Sequence, residues 1–258
     1  MKHVLRILIL IPFLTFLFLM PSCKKESCSC PEDNLPKHIN DSLWAYYPIK
    51  GSTFDSSGHN HTLLLKEGAS LSYDQWGFEN GAINFDGINN YGLIADGSKF
   101  PSSDFTISFY VMARENKGLF FGKQDFNTAQ AASFNVGVDT RLVGDVARFS
   151  ITSNQDNICS EVPSGGILCQ NNKAFVPNAW YHLVATYTNS TMKFYVNGEL
   201  TATKSTPFKS INSCPNGQFV LGAWWLKDID GLNGKLDEIR IYTRALNDNE
   251  VKYLFSKR

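Results

Sequence analysis

A pair of adjacent carboxylates is the first feature of the sequence that could do chemistry. Retaining glycoside hydrolysis needs two carboxyl groups about 5–5.5 Å apart across the scissile bond. Asp237 and Glu238 are the nearest candidate pair, but adjacent residues of a strand point to opposite faces of a sheet. The 5 histidines accompany no Gly-x-Ser-x-Gly nucleophile elbow. The sequence therefore does not predict an enzyme.

A pair of adjacent tryptophans is the second feature. Trp224 and Trp225 lie in a predicted loop, where two such side chains are hard to explain by core packing. Indole rings stack on the apolar faces of sugars, and Asp228 and Asp230 in the same loop can bind sugar hydroxyls. The alternative is that one tryptophan of the pair points into the core. We expect these four residues to form a carbohydrate-binding site.

An oxygen-rich turn is the third feature. Residues 55–61 read Asp-Ser-Ser-Gly-His-Asn-His, and carboxylate, amide and backbone oxygens are the ligands that calcium prefers. The alternative is an Asx-turn, in which the carboxylate of Asp55 accepts hydrogen bonds from nearby backbone amides. The sequence leaves both interpretations open.

These side chains need a scaffold, and the apolar residues predict one made of strands. Alternation with period two is clearest in residues 105–111, 181–187 and 218–221. Asn197 and Gly198 lie between two apolar runs and predict a hairpin, because a type I′ turn needs positive φ at both positions. Tyr73 and Trp76 fall in none of these runs and are left open between core and surface.

One short helix is predicted at the end of the chain. Asn247 precedes Glu250 by three residues, which is a capping-box arrangement, and Val251, Leu254 and Phe255 then share one face. Short, regularly spaced strands with so little helix indicate an all-β fold, an antiparallel sandwich or barrel.

The order of motifs in residues 41–258 resembles the laminin-G-like, pentraxin-like branch of the concanavalin A-like lectin/glucanase superfamily. The motifs lie at residues 43–48, 54–60, 82–87, 104–109, 180–184, 194–198 and 232–246. The resemblance implies a two-sheet antiparallel jelly-roll sandwich that binds a glycan or polysaccharide without catalysis. The alternatives are a laminin-G-type module that binds a cell-surface protein and, less favoured, a glycoside hydrolase.

The same resemblance implies a metal site. In similar domains the early loop and the aspartate of the Gly-Lys-Leu-Asp-Glu motif lie together and bind calcium. Asp55, Asn60 and Asp237 occupy the matching positions here and would be the ligands. The ion would then have a structural rather than a catalytic role.

The N-terminus resembles a bacterial lipoprotein signal. The apolar run at residues 7–20 makes about 21 Å of helix, shorter than a hydrocarbon core of about 30 Å. It therefore predicts a secretory signal at residues 1–22, with a membrane anchor as the alternative. Ser22-Cys23 resembles a lipobox, so Cys23 is expected to carry lipid at the start of a flexible tether, residues 23–40. Lysines follow Cys23, where inner-membrane lipoproteins carry aspartate, and this implies the outer membrane.

Composition and cysteines agree with an exported protein. Lys+Arg and Asp+Glu each total 24, so no basic excess exists to bind nucleic acid. Cys159 and Cys169 bracket a short loop rich in proline and glycine, and we expect them to pair in an oxidising compartment. Cys214 either reaches back to the tether, which holds Cys28 and Cys30, or is a buried free thiol.

Overall fold

The computed structural model describes residues 36, 38–125, 127, 131–138, 146–153, 159, 167–172, 174–224 and 230–257. The strands of this part are β1 (Leu43–Tyr47), β2 (Leu63–Lys66), β3 (Ser70–Ser72), β4 (Ala82–Asp86), β5 (Tyr91–Ile94), β6 (Phe105–Ala113), β7 (Gly118–Asp125), β8 (Ala132–Val138), β9 (Ala147–Ile151), β10 (Ile167–Gln170), β11 (Trp180–Thr188), β12 (Thr191–Val196), β13 (Glu199–Ser205), β14 (Gly217–Leu221) and β15 (Asn233–Tyr242). A 3₁₀ turn spans Gly97–Lys99, and helix α1 spans Asp248–Ser256.

The described strands form two antiparallel sheets that pack face to face. Sheet A has 8 strands in the order β13-β12-β11-β6-β15-β4-β3, with β1 also paired to β15. Sheet B has 7 strands in the order β10-β9-β8-β7-β14-β5-β2. Strands distant in sequence are neighbours in both sheets, as β6 and β15 are. The predicted all-β sandwich with one C-terminal helix is confirmed.

The central strand β6 is buried on both of its faces. Phe105 and Phe109 are fully buried in the core between the sheets, as the period-two alternation predicts. Thr106 and Tyr110 point to the outer face of sheet A, yet they are buried too. The segment that leads into α1 covers Thr106, whose Oγ1 accepts the backbone N–H of Leu246 at 2.9 Å. The end of α1 covers Tyr110, whose hydroxyl donates to the Phe255 oxygen at 3.2 Å.

The predicted hairpin joins β12 to β13. Asn197 and Gly198 have φ of 52° and 80°, so both central residues are left-handed as a type I′ turn requires. A Cβ on Gly198 would lie 3.1 Å from the side chain of Phe255, so the close packing of α1 also favours glycine there.

The helix begins where the capping box predicts. Asn247 Oδ1 accepts the backbone N–H of Glu250, and Glu250 Oε2 accepts the backbone N–H of Asn247. Val251 and Leu254 are buried against the outer face of sheet A. Ile39, which falls in the predicted tether, is 6% exposed and packs in the same cluster. The packed part of the chain therefore starts before residue 41.

The disulfide expected between Cys159 and Cys169 is wrong. Cys159 is bonded to Cys214, with their Cα atoms 4.6 Å apart. Cys169 pairs with Phe149 in the β9–β10 register and is 2% exposed in the core. Strand alternation thus turns the Cys169 thiol inward, where burial raises its pKa to about 11 and makes it unreactive. Cys214 is therefore neither a tether partner nor a free thiol.

The predicted signal, Cys23, Cys28, Cys30 and the tether up to residue 35 lie outside the described residues. In the part that the structure describes, no helix has the length and apolar character needed to cross a membrane.

Candidate functional site

The oxygen-rich turn is organised around the carboxylate of Asp55. Its Oδ1 accepts the backbone N–H groups of Tyr46 and Ser57, both at 2.9 Å. Its Oδ2 accepts the Ser57 hydroxyl at 2.8 Å and the His61 N–H at 2.9 Å. Partial burial raises the pKa of Asp55, but these hydrogen bonds together outweigh it and hold the pKa below its usual range. The carboxylate fastens the turn to β1.

This arrangement does not fit the predicted calcium site. The four hydrogen bonds use both lone pairs on each Asp55 oxygen, so a cation would have to displace protein donors. Asn60, left-handed at φ 61°, makes no hydrogen bond to Asp55 within the described residues. Asp237 faces a different depression, beside Lys50 and Asp74. The turn has the geometry of the capped Asx-turn.

Sheet B carries polar and glycine residues on its outer face. Asn135 lies between two core residues of β8, and Arg148 lies between two core residues of β9, so both side chains point away from the core. A Cβ on Gly122 of β7 would lie 3.2 Å from Gln124 Nε2 and 3.3 Å from Asn135 Cβ. Gly122 therefore lets these polar side chains pack closely over β7. The amide of Asn135 and the guanidinium of Arg148 make this face suited to ligands rich in hydroxyl groups.

Trp224 and Asp230 line one depression at the edge of this face, together with Asn135 and Arg148. The backbone oxygen of Asp230 accepts the Leu119 N–H at 2.7 Å, which ties the loop to β7. The depression encloses only about 30 Å³, close to the volume of one water molecule. A sugar would lie across it rather than inside it.

Two of the four predicted sugar-binding residues, Trp225 and Asp228, lie outside the described residues. The other two, Trp224 and Asp230, are brought together as the sequence predicts, although their role in binding remains a prediction.

The expectation that Asp237 and Glu238 point to opposite faces is wrong. Between Asp237 and Arg240, β15 holds one residue more than the facing stretch of β6, so β15 has a β-bulge there. Glu238 lies in this bulge and is left-handed at φ 49°. Leu236 and Ile239 both point into the core, so the two carboxylates between them share the outer face and line one depression.

The two carboxylates have different surroundings. Asp237 is 2% exposed, and burial, followed by the charge of Glu238, raises its pKa to about 8. Glu238 Oε2 accepts the Tyr46 hydroxyl at 2.8 Å and pairs with Arg240 at 3.0 Å. Burial thus disfavours the charged form of Asp237, while Glu238 is engaged in a structural ion pair.

Sequence reasoning missed Asn135 and Arg148 and left Trp76 open. Asn135 and Arg148 occupy alternate positions on strands whose other positions are apolar. That alternation was the signal that could have assigned them to an outer face. The bulge also left a signal, because two polar residues interrupt the apolar alternation between Leu236 and Ile239.

Comparison with solved structures finds several proteins of similar fold. Domain 4 of AbnA, a GH43 extracellular arabinanase from Geobacillus stearothermophilus solved with arabinotriose, is 20% identical with a TM-score of 0.54, over 83% of this chain and 98% of that chain. The ligand-binding domain of botulinum neurotoxin serotype D, solved with N-acetylneuraminic acid, is 12% identical with a TM-score of 0.62, over 85% and 52%. The binding domain of Paraclostridial Mosquitocidal Protein 1 is 19% identical with a TM-score of 0.62, over 84% and 52%.

These likenesses show the fold alone. The chain spans about half the length of the toxin binding domains that it matches. A comparison with curated proteins finds no match.

The family can be assigned from the sequence itself. The family model Laminin_G_3, described as concanavalin A-like lectin/glucanases superfamily, matches residues 86–252, from the end of β4 into α1. The match agrees with the two-sheet sandwich and with the motif order noted above. With more than half of its length matched, the chain belongs to the Laminin_G_3 family of the concanavalin A-like lectin/glucanases superfamily.

Proposed function

We propose that this protein is a non-catalytic, lectin-like lipoprotein that binds a glycan through the outer face of sheet B. The observation that carries the proposal is that Trp224, Asp230, Asn135 and Arg148 line the same depression. Two proteins of similar fold were solved with arabinotriose and N-acetylneuraminic acid, which supports a sugar as the ligand class.

The chemistry of the depression suits an extended glycan bound from the surface. The indole of Trp224 offers a flat apolar face for a sugar ring, and the surrounding amide, guanidinium and carboxylate groups bind hydroxyls. Because the depression is shallow, each sugar unit contributes little binding energy. Affinity is expected to grow with the number of units in the chain.

Replacing Trp224 by alanine is expected to weaken glycan binding at least about tenfold, a loss of about 1.4 kcal/mol of binding free energy. A glycan array on the protein first identifies the ligand, and calorimetric titration then compares wild type with the variant. Phe54→Ala is the control, since Phe54 is 81% exposed and does not line the depression.

The control also tests the alternative, a laminin-G-type module that binds protein. Phe54 and Ile88 are 81% and 68% exposed and line neither depression, which favours a protein contact over a sugar site at those two positions. This alternative would be supported if the protein binds a cell-surface protein, if Phe54→Ala abolishes that binding and if Trp224→Ala leaves it intact. An array without any bound glycan would contradict the lectin proposal.

The non-catalytic part of the proposal rests on the engagement of Glu238 with Tyr46 and Arg240. Incubation with a bound polysaccharide should release no new reducing ends. If reducing ends are released, and if Glu238→Gln abolishes this release, the protein is a hydrolase instead.

Membrane attachment is proposed from the sequence alone, because Cys23 lies outside the described residues. Replacing Cys23 by serine is expected to move the protein from the membrane fraction to the soluble fraction, since acyl chains contribute about 0.8 kcal/mol per buried methylene. Fractionation and intact mass measure this. Lys24→Asp is the matched variant for the outer-membrane assignment and should retain the protein in the inner membrane. Wild-type protein in the soluble fraction would contradict the anchor.

A further inference from the structure

Three aromatic side chains are exposed in one short loop between β3 and β4. Tyr73, Trp76 and Phe78 are 55%, 45% and 68% exposed. Burial of large apolar side chains stabilises a fold, so three such rings left together on the surface indicate a contact with something outside the folded chain. We call residues 73–79 the aromatic loop.

The aromatic loop is held in place before any ligand arrives. Asp74 Oδ1 accepts the backbone N–H groups of Trp76 at 2.8 Å and Phe78 at 2.9 Å, and the Asp74 N–H donates to the Phe78 oxygen at 3.1 Å. Lys235 of β15 donates its Nζ to the Tyr73 oxygen at 2.6 Å. A ligand therefore has little loop entropy to remove when it binds.

A depression of about 670 Å³ lies beneath the aromatic loop, on the outer face of sheet A. Its volume falls in the range of about 300–1,000 Å³ that is typical of small-ligand sites. Trp76 and Phe78 line it together with Tyr110, Ile49 and Asp237, and the last three are 3%, 0% and 2% exposed.

One carboxyl oxygen of Asp237, a residue that lines this depression, is available to a ligand. Asp237 Oδ1 accepts the N–H of Glu238 at 2.6 Å. Asp237 Oδ2 has no hydrogen-bond partner among the described residues. A ligand hydroxyl or amine in the depression would donate a hydrogen bond to this oxygen.

The charges around the depression select against acidic ligands. Its lining holds four carboxyl groups and two ammonium groups, from Asp74, Glu79, Asp237, Glu238, Lys50 and Lys257. A uronic or sialic acid would bring a further negative charge among these carboxyl groups. Hydroxyl groups and ammonium groups donate to carboxylates instead, and aromatic faces attract both sugar C–H groups and cations.

We propose that the aromatic loop and the depression beneath it form a second glycan site, which binds a sugar unit without an acidic group. Trp76 and Phe78 contact the apolar face of the sugar, and Asp237 bonds one of its hydroxyl or amino groups. The site lies on sheet A, whereas the Trp224 depression lies on sheet B. One domain would then hold two glycan chains, and a multivalent surface would gain avidity from both.

Titration with four oligosaccharides tests the proposal. The chain carrying Cys23→Ser, which lacks the lipid, is titrated with cellotriose, arabinotriose, chitosan trimer and trigalacturonate by calorimetry and tryptophan fluorescence. We expect at least one of the first three to bind and trigalacturonate not to bind. Trp76→Ala/Phe78→Ala should weaken that binding at least tenfold, and Asp237→Asn should weaken it less.

Two controls keep the result interpretable. Both replaced rings are exposed, so the double variant should melt like the parent protein, and Phe54→Ala removes an exposed ring that does not line this depression. Trp224→Ala should retain binding at this site. If the sheet B site does not bind a glycan, only the comparison with Trp224→Ala is affected. The binding of trimers at the aromatic loop is tested independently of it.

The proposal is overturned by any of three results. These are no binding of any of the four trimers, unchanged binding in the double variant, or preferential binding of trigalacturonate.

Discussion

Replacing Asp55 by alanine is expected to lower the free energy of unfolding by about 3 kcal/mol or more, because one side chain satisfies four donors. Each hydrogen bond to a charged group contributes about 1.5–3 kcal/mol, and the partial exposure of the turn reduces the sum. Chemical denaturation measures the loss. Asp55→Asn keeps one acceptor oxygen, so it should lose about half as much.

The same variants decide the calcium question. We expect EDTA and excess calcium to give the same unfolding curve for wild type, since the Asp55 oxygens have no lone pair left for a cation. The opposite result would be a melting temperature that falls with EDTA and recovers with calcium in wild type but does not respond in Asp237→Ala. That result would show that the calcium site predicted from the sequence exists.

The stabilisation by Asp55 also has a defined pH dependence. Its hydrogen bonds hold the folded-state pKa below the ordinary value of about 3.9. The contribution is therefore fully present above pH of about 4 and is lost as the pH falls through the lower, folded-state pKa. Asp55→Asn should flatten the acid limb of the stability curve. An acid limb that does not change would contradict this role.

Replacing both Cys159 and Cys214 by serine is expected to cost about 4 kcal/mol of unfolding free energy by the chain-entropy relation. The disulfide joins residues separated by 55 positions, so it restricts the unfolded chain strongly. Urea unfolding under non-reducing conditions measures the difference.

Reductant provides the matched control for the disulfide. It should lower the stability of wild type to that of the double variant and leave the variant itself unchanged. Peptide mapping should recover Cys159 linked to Cys214, and Cys169 should react with an alkylating agent only after unfolding. Recovery of a Cys159–Cys169 peptide would contradict the structure.

The parts of the fold that follow from local patterns could be predicted. Alternation in residues 105–111 places every second side chain in one core, and the result does not depend on which strands lie beside it. The Asn197-Gly198 turn and the Asn247 capping box are likewise determined within a few residues. Sheet order could not be predicted from local patterns, because neighbouring strands such as β6 and β15 are far apart in sequence.

The site depended more on contacts distant in sequence. The pairing of Cys159 with Cys214 requires knowing that β10 turns Cys169 inward, which sequence distance between cysteines does not show. Trp76 could not be assigned because its exposure depends on how the aromatic loop folds back on Asp74. Sequence patterns thus located the loop of Trp224 but not the depression beneath Trp76.

Glu238 marks a position at which the length of a central strand can change by one residue. Leu236 and Ile239 both face the core on either side of the bulge, and Asp237 pairs with Tyr110 of β6. Without Glu238, Asp237 would be followed directly by Ile239, and the in–out alternation would continue unbroken. Removing one residue from a strand normally moves every later side chain to the opposite face of the sheet. A deletion of Glu238 would leave each later side chain on its present face. A relative can therefore gain or lose this second carboxylate by insertion or deletion while the sandwich keeps its core.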